Sequence, residues 1–340
     1  MTVVVVALSA VACGGAPAAV HHPGTATPRA TTPTTTTPTV PGAADKPLPS
    51  PADLAPFAVP APAGSGTWTP AGRSVAGSPA VYVTTLIPPG GSQPAGIAWM
   101  DARLLSARLY SGSISPGGGP YLFTAPIEST QAAGLVAAFN GGFQLKDAGG
   151  GYYTEGRLVA PLVAGAASLV ITADGSVDIG AWGTDVTMTP DVVAVRQNLV
   201  PLVAAGQPTP AAAGPDWQAW GNTCGATSCA SDVPGIENQW RSGVGITADG
   251  ALVYALGPDL DPLQLAQLLV QAGAVRAMEL DINPNWPVLV TYDPPVPGGP
   301  AAPSNGTGLL PGTAQGPATF FEPSWARDFV TMSARPTGSG

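Results

Sequence analysis

The chain has 340 residues, 44 of them Gly and 40 Pro, yet 45% are hydrophobic, so irregular stretches are confined to parts of a chain that still builds a core. Twelve Lys and Arg against 21 Asp and Glu give a net charge of −9, which excludes a basic nucleic-acid-binding face. Histidine occurs only at His21 and His22, in a Pro/Thr-rich stretch. The globular part therefore has no Ser-His-Asp or Cys-His catalysis and no His-ligated zinc, and its chemistry falls to carboxylates, Arg, Asn, hydroxyls or a hard metal held by oxygen.

Val3 to Ala12 is a ten-residue apolar run, too short to span a bilayer and the length of a signal-peptide core. It ends in Leu8-Ser-Ala-Val-Ala-Cys13, which resembles a bacterial lipobox with Cys13 as the lipidated residue; a plain secretory signal with an incidental Cys is the other reading. Either places the protein outside the cell, at the outer face of the membrane or wall through a lipid anchor, or free. Residues 14–66 hold 12 Pro, and Thr fills 9 of the 15 positions from Thr25 to Thr39. Such sequence lacks the periodicity of a packed element and predicts a disordered tether. One main domain is then expected over 67–334, with a short tail at 335–340.

In the domain, Val81 to Ile87 reads as a strand and Ile97 to Tyr110 as a second strand-like stretch. A short helix over Ser129 to Gly134 precedes a strand over Leu135 to Asn140, which ends in Asn140-Gly141-Gly142-Phe143. Two Gly allow close approach of backbone to a ligand, and Asn140 offers donor and acceptor; alone, the motif is as readily a turn. Tyr152, Tyr153 and Glu155 follow in a Gly-flanked segment and are candidates for the same pocket. Ser168 to Ile179 reads as a hairpin turning at Asp174-Gly175, and Gly245 to Tyr254 as another turning at Asp249-Gly250.

Arg196 and Arg241 each stand beside small or amide residues, and Arg is the natural bidentate partner of a phosphodiester; an ion pair is the alternative for each. Ala205 to Trp240 reads as a long loop holding Trp217, Trp220 and Trp240 and the pair Cys224 and Cys229, spaced for a local disulfide in a secreted chain. Trp220 is the best sugar-stacking candidate of the three, against a role in a local core. Asp261 as N-cap, Pro262 at the first position, the face Leu265, Leu268, Leu269 and Ala272, and Gly273 as the stop mark a helix. A strand follows from Ala274 to Asn283, then a second long loop to Pro303 with seven Pro.

Glu279 and Asp281 are two apart on that strand, which puts their Cβ atoms on one face at roughly 6.5–7 Å. Such a pair can divide acid, base or nucleophile roles, can hold Ca²⁺ or Mg²⁺, or can form a structural ion pair with Arg196 or Arg241. Helices packed on a mixed or antiparallel sheet rich in hairpins, an α+β architecture, fit the pattern.

Taken in order, Ala137-Ala-Phe-Asn-Gly-Gly-Phe143, Glu155-Gly-Arg157, Arg241-Ser-Gly-Val-Gly-Ile-Thr-Ala-Asp-Gly250 and the run from Leu265 to Asp281 resemble the phosphodiester glycosidase family over about residues 130–330, with Val195 to Leu199 and Trp240 to Gly243 similar to an actinobacterial branch. The resemblance implies an α+β fold and hydrolysis of a sugar-phosphate diester at the glycosidic carbon. It carries substrate-binding roles to Asn140, Gly141, Gly142 and Arg241 and a catalytic role to Asp281. In the best-known members that Asp opens an Asp-Gly-Gly-Gly-Ser loop; here Ile-Asn-Pro-Asn-Trp286 follows it, and Glu279 joins the candidate site. An envelope lipoprotein that binds glycan without cleaving it is the alternative function.

Overall fold

The computed structural model describes residues 46–221 and 237–336, all within the compact unit Thr37–Gly340. Cys13, the Thr-rich stretch and the pair Cys224 and Cys229 lie outside the described residues.

Three sheets carry the fold. An eight-stranded sheet runs in the order Thr69–Pro70, Val81–Leu86, Ala95–Met100, Leu252–Leu260, Gln239–Thr247, Ala274–Glu279, Val203–Ala204, Gln207–Pro208. A five-stranded sheet runs Val177–Ala181, Ala167–Thr172, Val192–Gln197, Tyr152–Thr154, Arg157–Ala160. A second five-stranded sheet runs Gly306–Gly308, Leu289–Tyr292, Leu135–Asn140, Phe329–Ala334, Leu105–Tyr110. The ladders joining these strands are antiparallel, and parallel pairing occurs among the described residues only at two isolated bridges. With three α-helices beside these sheets among the described residues, the class is α+β and strand-rich.

Alternation along the strands assigns each face its layer. Leu169 and Ile171, Ala137 and Phe139, and Tyr254 and Met278 enter one core shared by all three sheets. Their neighbours turn outward: Val170 packs with Val195, Ala138 with Val290 and Phe329, and Val253 and Ala277 with the helix Pro262–Gln271. Both faces of these central strands are therefore buried. The helix starts as read: Asp261 accepts from Gln264 N at 2.7 Å, and Gln264 Oε1 accepts from Asp261 N at 3.0 Å. Its buried Leu265, Leu268 and Leu269 contribute about 1.5–3 kcal/mol each. The two hairpins pair as expected, Ile171 with Val177 and Ile246 with Leu252.

The structure corrects four expectations. The tether ends earlier than residue 66: Leu48 is buried, its N–H donates to Asp101 Oδ2 at 2.8 Å, Asp53 accepts from Trp68 N at 3.0 Å, and Leu54 N donates to Gly66 O at 2.9 Å. Spaced apolar anchors and one carboxylate cap hold a Pro-rich strap that has no helical or strand period. Ile97 to Tyr110 is two strands, broken where Asp101 turns inward and accepts from Arg103 N at 2.8 Å. The strand from Ala274 ends at Glu279, so Asp281 stands just beyond the ladder. The stretch Asn283 to Pro303 contains the fully buried strand Leu289–Tyr292, which pairs with Leu135–Asn140; flanking Pro concealed it.

Candidate active site

Chain segments from all three sheets meet at one buried polar junction. Asn140 closes its strand, Arg196 and Gln197 close another, Arg241 and Ser242 stand early in a third, and Glu279 closes a fourth. Arg327 and Asp328 precede Phe329–Ala334. Backbone bonds lock these segments together: Asp281 N donates to Gly141 O at 3.1 Å, Gly141 N to Asp328 O at 2.8 Å, and Leu280 N to Ser242 O at 2.8 Å.

Three Arg–carboxylate pairs occupy the junction. Arg241 Nη1 donates to Glu279 Oε2 at 2.9 Å, with both side chains fully enclosed. Arg196 grips Asp328 through Nε at 2.8 Å and Nη2 at 3.3 Å. Arg327 Nη2 lies 3.2 Å from Asp281 Oδ2. Of these residues, reading the sequence brought forward Arg196, Arg241, Glu279 and Asp281 and missed Arg327 and Asp328. An Arg-Asp dipeptide opening an apolar strand, in Trp325-Ala-Arg-Asp-Phe329, was the signal available.

The expected phosphate ligands are committed elsewhere. Arg241 also donates through Nε to Leu260 O at 2.8 Å, Nη1 to Trp220 O at 3.1 Å and Nη2 to Glu237 O at 3.0 Å. Arg196 also donates to the carbonyls of Gln197 and Phe143, with the Tyr152 ring 5.9 Å from its Cζ. A guanidinium has five N–H groups, so each keeps about one.

Asn140 is likewise saturated. Its Oδ1 accepts from Tyr254 Oη at 2.6 Å and Val288 N at 3.0 Å; its Nδ2 donates to Ser242 Oγ at 3.0 Å and Gly141 O at 2.8 Å. That is the whole capacity of a carboxamide, so Asn140 positions the junction rather than offering groups to a sugar. The two glycines serve the same packing: a Cβ at Gly141 would enter the Asp328 carboxylate, and one at Gly142 would lie 2.7 Å from Asn198 Oδ1. The close approach foreseen from sequence is real, but the neighbours are side chains of this chain.

Trp220 and Glu155 stand outside this arrangement. Trp220 is buried in the helix-side core and donates through Nε1 to Ala211 O at 3.2 Å, so it offers no open stacking face. Glu155 accepts from Leu122 N and Phe123 N, each at 2.9 Å, and faces Arg157.

Within the junction, unused polar capacity lies at the carboxylates and Arg327. Glu279 Oε1 and Arg327 Nε and Nη1 are buried with no hydrogen-bond partner among the described residues, and Asp281 Oδ2 has only its ion-pair contact with Arg327 Nη2. Burial pushes the Glu279 carboxyl up to about 7 against the opposing pull of Arg241. Burial likewise raises Asp281 to about 6 against Arg327 and the Asn283 N–H. Such a pair can hold one proton and one negative charge near neutrality, the condition for dividing acid and base roles. Both carboxylates face a guanidinium, and among the described residues no group of three or more His, Cys, Asp or Glu gathers. No helix among the described residues is long and apolar enough to cross a membrane.

No curated protein matches the chain. Among solved structures, the catalytic domain of zebrafish N-acetylglucosamine-1-phosphodiester alpha-N-acetylglucosaminidase, auto-inhibited by its pro-peptide, is similar at 18% identity and a TM-score of 0.45, over 79% of this chain and 87% of that one. A hypothetical protein from Synechocystis is similar at 12% identity and a TM-score of 0.44, over 78% of this chain and 64% of that one. Residues 133–281, which contain Asn140, Arg196, Arg241, Glu279 and Asp281, match the phosphodiester glycosidase family, the family of glycosidases that the sequence motifs resemble.

Proposed function

We propose that the chain is a secreted or lipid-anchored hydrolase that cleaves the glycosidic bond of a sugar-phosphate diester in envelope or extracellular glycan. The observation that carries this reading is the pair of buried carboxylates, Glu279 with one oxygen unpartnered among the described residues and Asp281 with one oxygen held only by the Arg327 ion pair, each raised toward neutrality. Between them Asp281, beside Arg327, and Glu279, beside Arg241, divide the base or nucleophile role and the proton-donor role. Arg241 and Arg196 brace Glu279 and Asp328, and Asn140, Gly141, Gly142 and Ser242 fix the backbone around them. At 0% and 2% exposure the two carboxylates are closed to solvent, so substrate entry requires a covering side chain to move.

Incubating the full chain with glycosyl phosphodiesters tests the reading. Sugar release by the wild type and none by folded Asp281→Asn is the expected outcome. Equal release by both removes Asp281 from the chemistry. Retention of glycan without product from any diester would favour the second reading, an envelope glycan-binding protein, which the absence of the Gly-rich loop after Asp281 motivates. Lipidation at Cys13 predicts fatty-acyl labelling that Cys13→Ala abolishes, and a Cys224–Cys229 disulfide predicts a mass gain of about two protons on reduction.

A further inference from the structure

A pocket of about 430 Å³ is walled by Trp286, Trp325, Gln315, Thr319, Glu322 and Ser324 among others, and its wall residue Ala326 immediately precedes Arg327 of the junction. The pocket's size lies within the roughly 300–1,000 Å³ of small-molecule sites. The segment that replaces the Gly-rich loop builds one wall. Asn283 Oδ1 accepts from Asn285 N at 3.1 Å, Trp286 N donates to Asn283 O at 2.8 Å, and Gln315 Nε2 donates to Asn285 O at 2.9 Å. This turn delivers Trp286 to the pocket, with the Trp325 ring edge-on at a centroid distance of 5.2 Å.

Trp286 also reaches the junction. Arg327 Cζ lies 4.9 Å from its ring centroid, and Arg327 Nη2 lies 3.2 Å from Asp281. Two direct contacts thus connect the pocket wall at Trp286 to Arg327, and Arg327 to the candidate catalytic carboxylate. Three buried donors around these contacts are unpartnered among the described residues: Trp325 Nε1 and Arg327 Nε and Nη1. Leaving buried donors unsatisfied is costly, so a ligand that reached them would gain by satisfying them. The half-buried Trp286 indole, backed by the edge of buried Trp325, with an amide, a carboxylate and hydroxyls suits a pyranose ring, which presents apolar C–H faces and a rim of hydroxyls. No Lys or Arg lines the pocket itself, so a free phosphate is not its natural occupant.

We infer that this pocket is a glycosyl subsite, and that Arg327 receives the anionic group attached to the bound sugar. The identity of the anion as a phosphodiester rests on the hydrolase reading; the sugar site does not.

The test is calorimetric titration of the full chain with C-glycosyl phosphonate monoesters of glucose, mannose and N-acetylglucosamine, which resist cleavage, and with the matching neutral methyl glycosides. Saturable binding is expected, tighter for a phosphonate than for its neutral counterpart. Trp286→Ala should weaken both by about tenfold. Arg327→Lys keeps the charge but loses the planar fork, and should weaken only the phosphonate, by about tenfold or more. Ser324→Trp, at an exposed position, should block both probes without disturbing the core. Unchanged affinity in folded Trp286→Ala or Ser324→Trp overturns the subsite, as does failure of every probe to bind the wild type. Diester hydrolysis indifferent to these two variants would keep the hydrolase and remove the subsite. Probe binding that the variants abolish, without turnover of any diester, would keep the subsite and remove the hydrolase.

Discussion

Arg327 and Asp328 are adjacent in sequence, and each joins a buried ion pair, yet the two pairs differ in kind. Asp328 is held through two guanidinium nitrogens by Arg196, whose other donors reach the carbonyls of Gln197 and Phe143. Arg327 touches Asp281 through one nitrogen and leaves Nε and Nη1 idle. The first pair is a frame and the second is a receptor. Burial alone does not separate them, since all four side chains are at least nine-tenths enclosed; unfilled hydrogen-bonding capacity does.

The comparison breaks most sharply at the receptor. Asp281→Asn should lower kcat/KM for a glycosyl phosphodiester by about 10²–10⁴-fold in a folded protein, the range for loss of a general acid or base. Steady-state assays with a thermal melt as control would show it. At the frame, Arg196→Met should instead cost about 3–5 kcal/mol in urea unfolding, because it strands the Asp328 carboxylate in the interior. Gly141→Ala should cost about 1–3 kcal/mol by driving a methyl group onto that same carboxylate. Tyr254→Phe removes one bond to Asn140 and should cost about 1 kcal/mol with activity retained.

Acidity sharpens the same contrast. With Asp281 near 6 and Glu279 near 7, the proposed division of roles requires one carboxyl of the pair ionised and the other protonated. The rate should therefore fall below about pH 6 and again above about pH 7, with the apparent values belonging to the pair. Because both carboxyls are raised in the folded state, their linked contribution to stability is complete below their ordinary values of 3.8 and 4.5 and declines as pH climbs through the folded ones. Glu279→Gln should remove its share of that decline, measured as unfolding free energy from pH 4 to 8.

Local chemistry explains which parts were legible in sequence. The helix Pro262–Gln271 carries its cap, first-position Pro and apolar face in consecutive residues, and the strand Leu135–Asn140 follows a short helix and ends at a Gly pair. The strap from Lys46 to Gly66 was hidden because single contacts from Leu48 and Asp53, not a period, tie it down. Leu289–Tyr292 was hidden because a short buried strand between prolines resembles a loop. At the site, Glu279, Asp281, Arg196 and Arg241 came forward on residue type and spacing. Their partnerships did not, since pairing across three sheets is a product of topology. Arg327 lies well beyond Asp281 in sequence and belongs to no motif; its importance appears only when its unpartnered nitrogens are seen beside Asp281 and Trp286.

The most direct test of frame against receptor is a matched pair of conservative variants, Arg327→Lys and Arg196→Lys, assayed on one glycosyl phosphodiester alongside their melting temperatures. Arg327→Lys should lose about tenfold or more in kcat/KM with its melting temperature nearly unchanged. Arg196→Lys should melt several degrees lower, while its folded fraction keeps its activity. The reverse pattern, a destabilised but active Arg327→Lys beside a stable, inactive Arg196→Lys, would contradict the distinction.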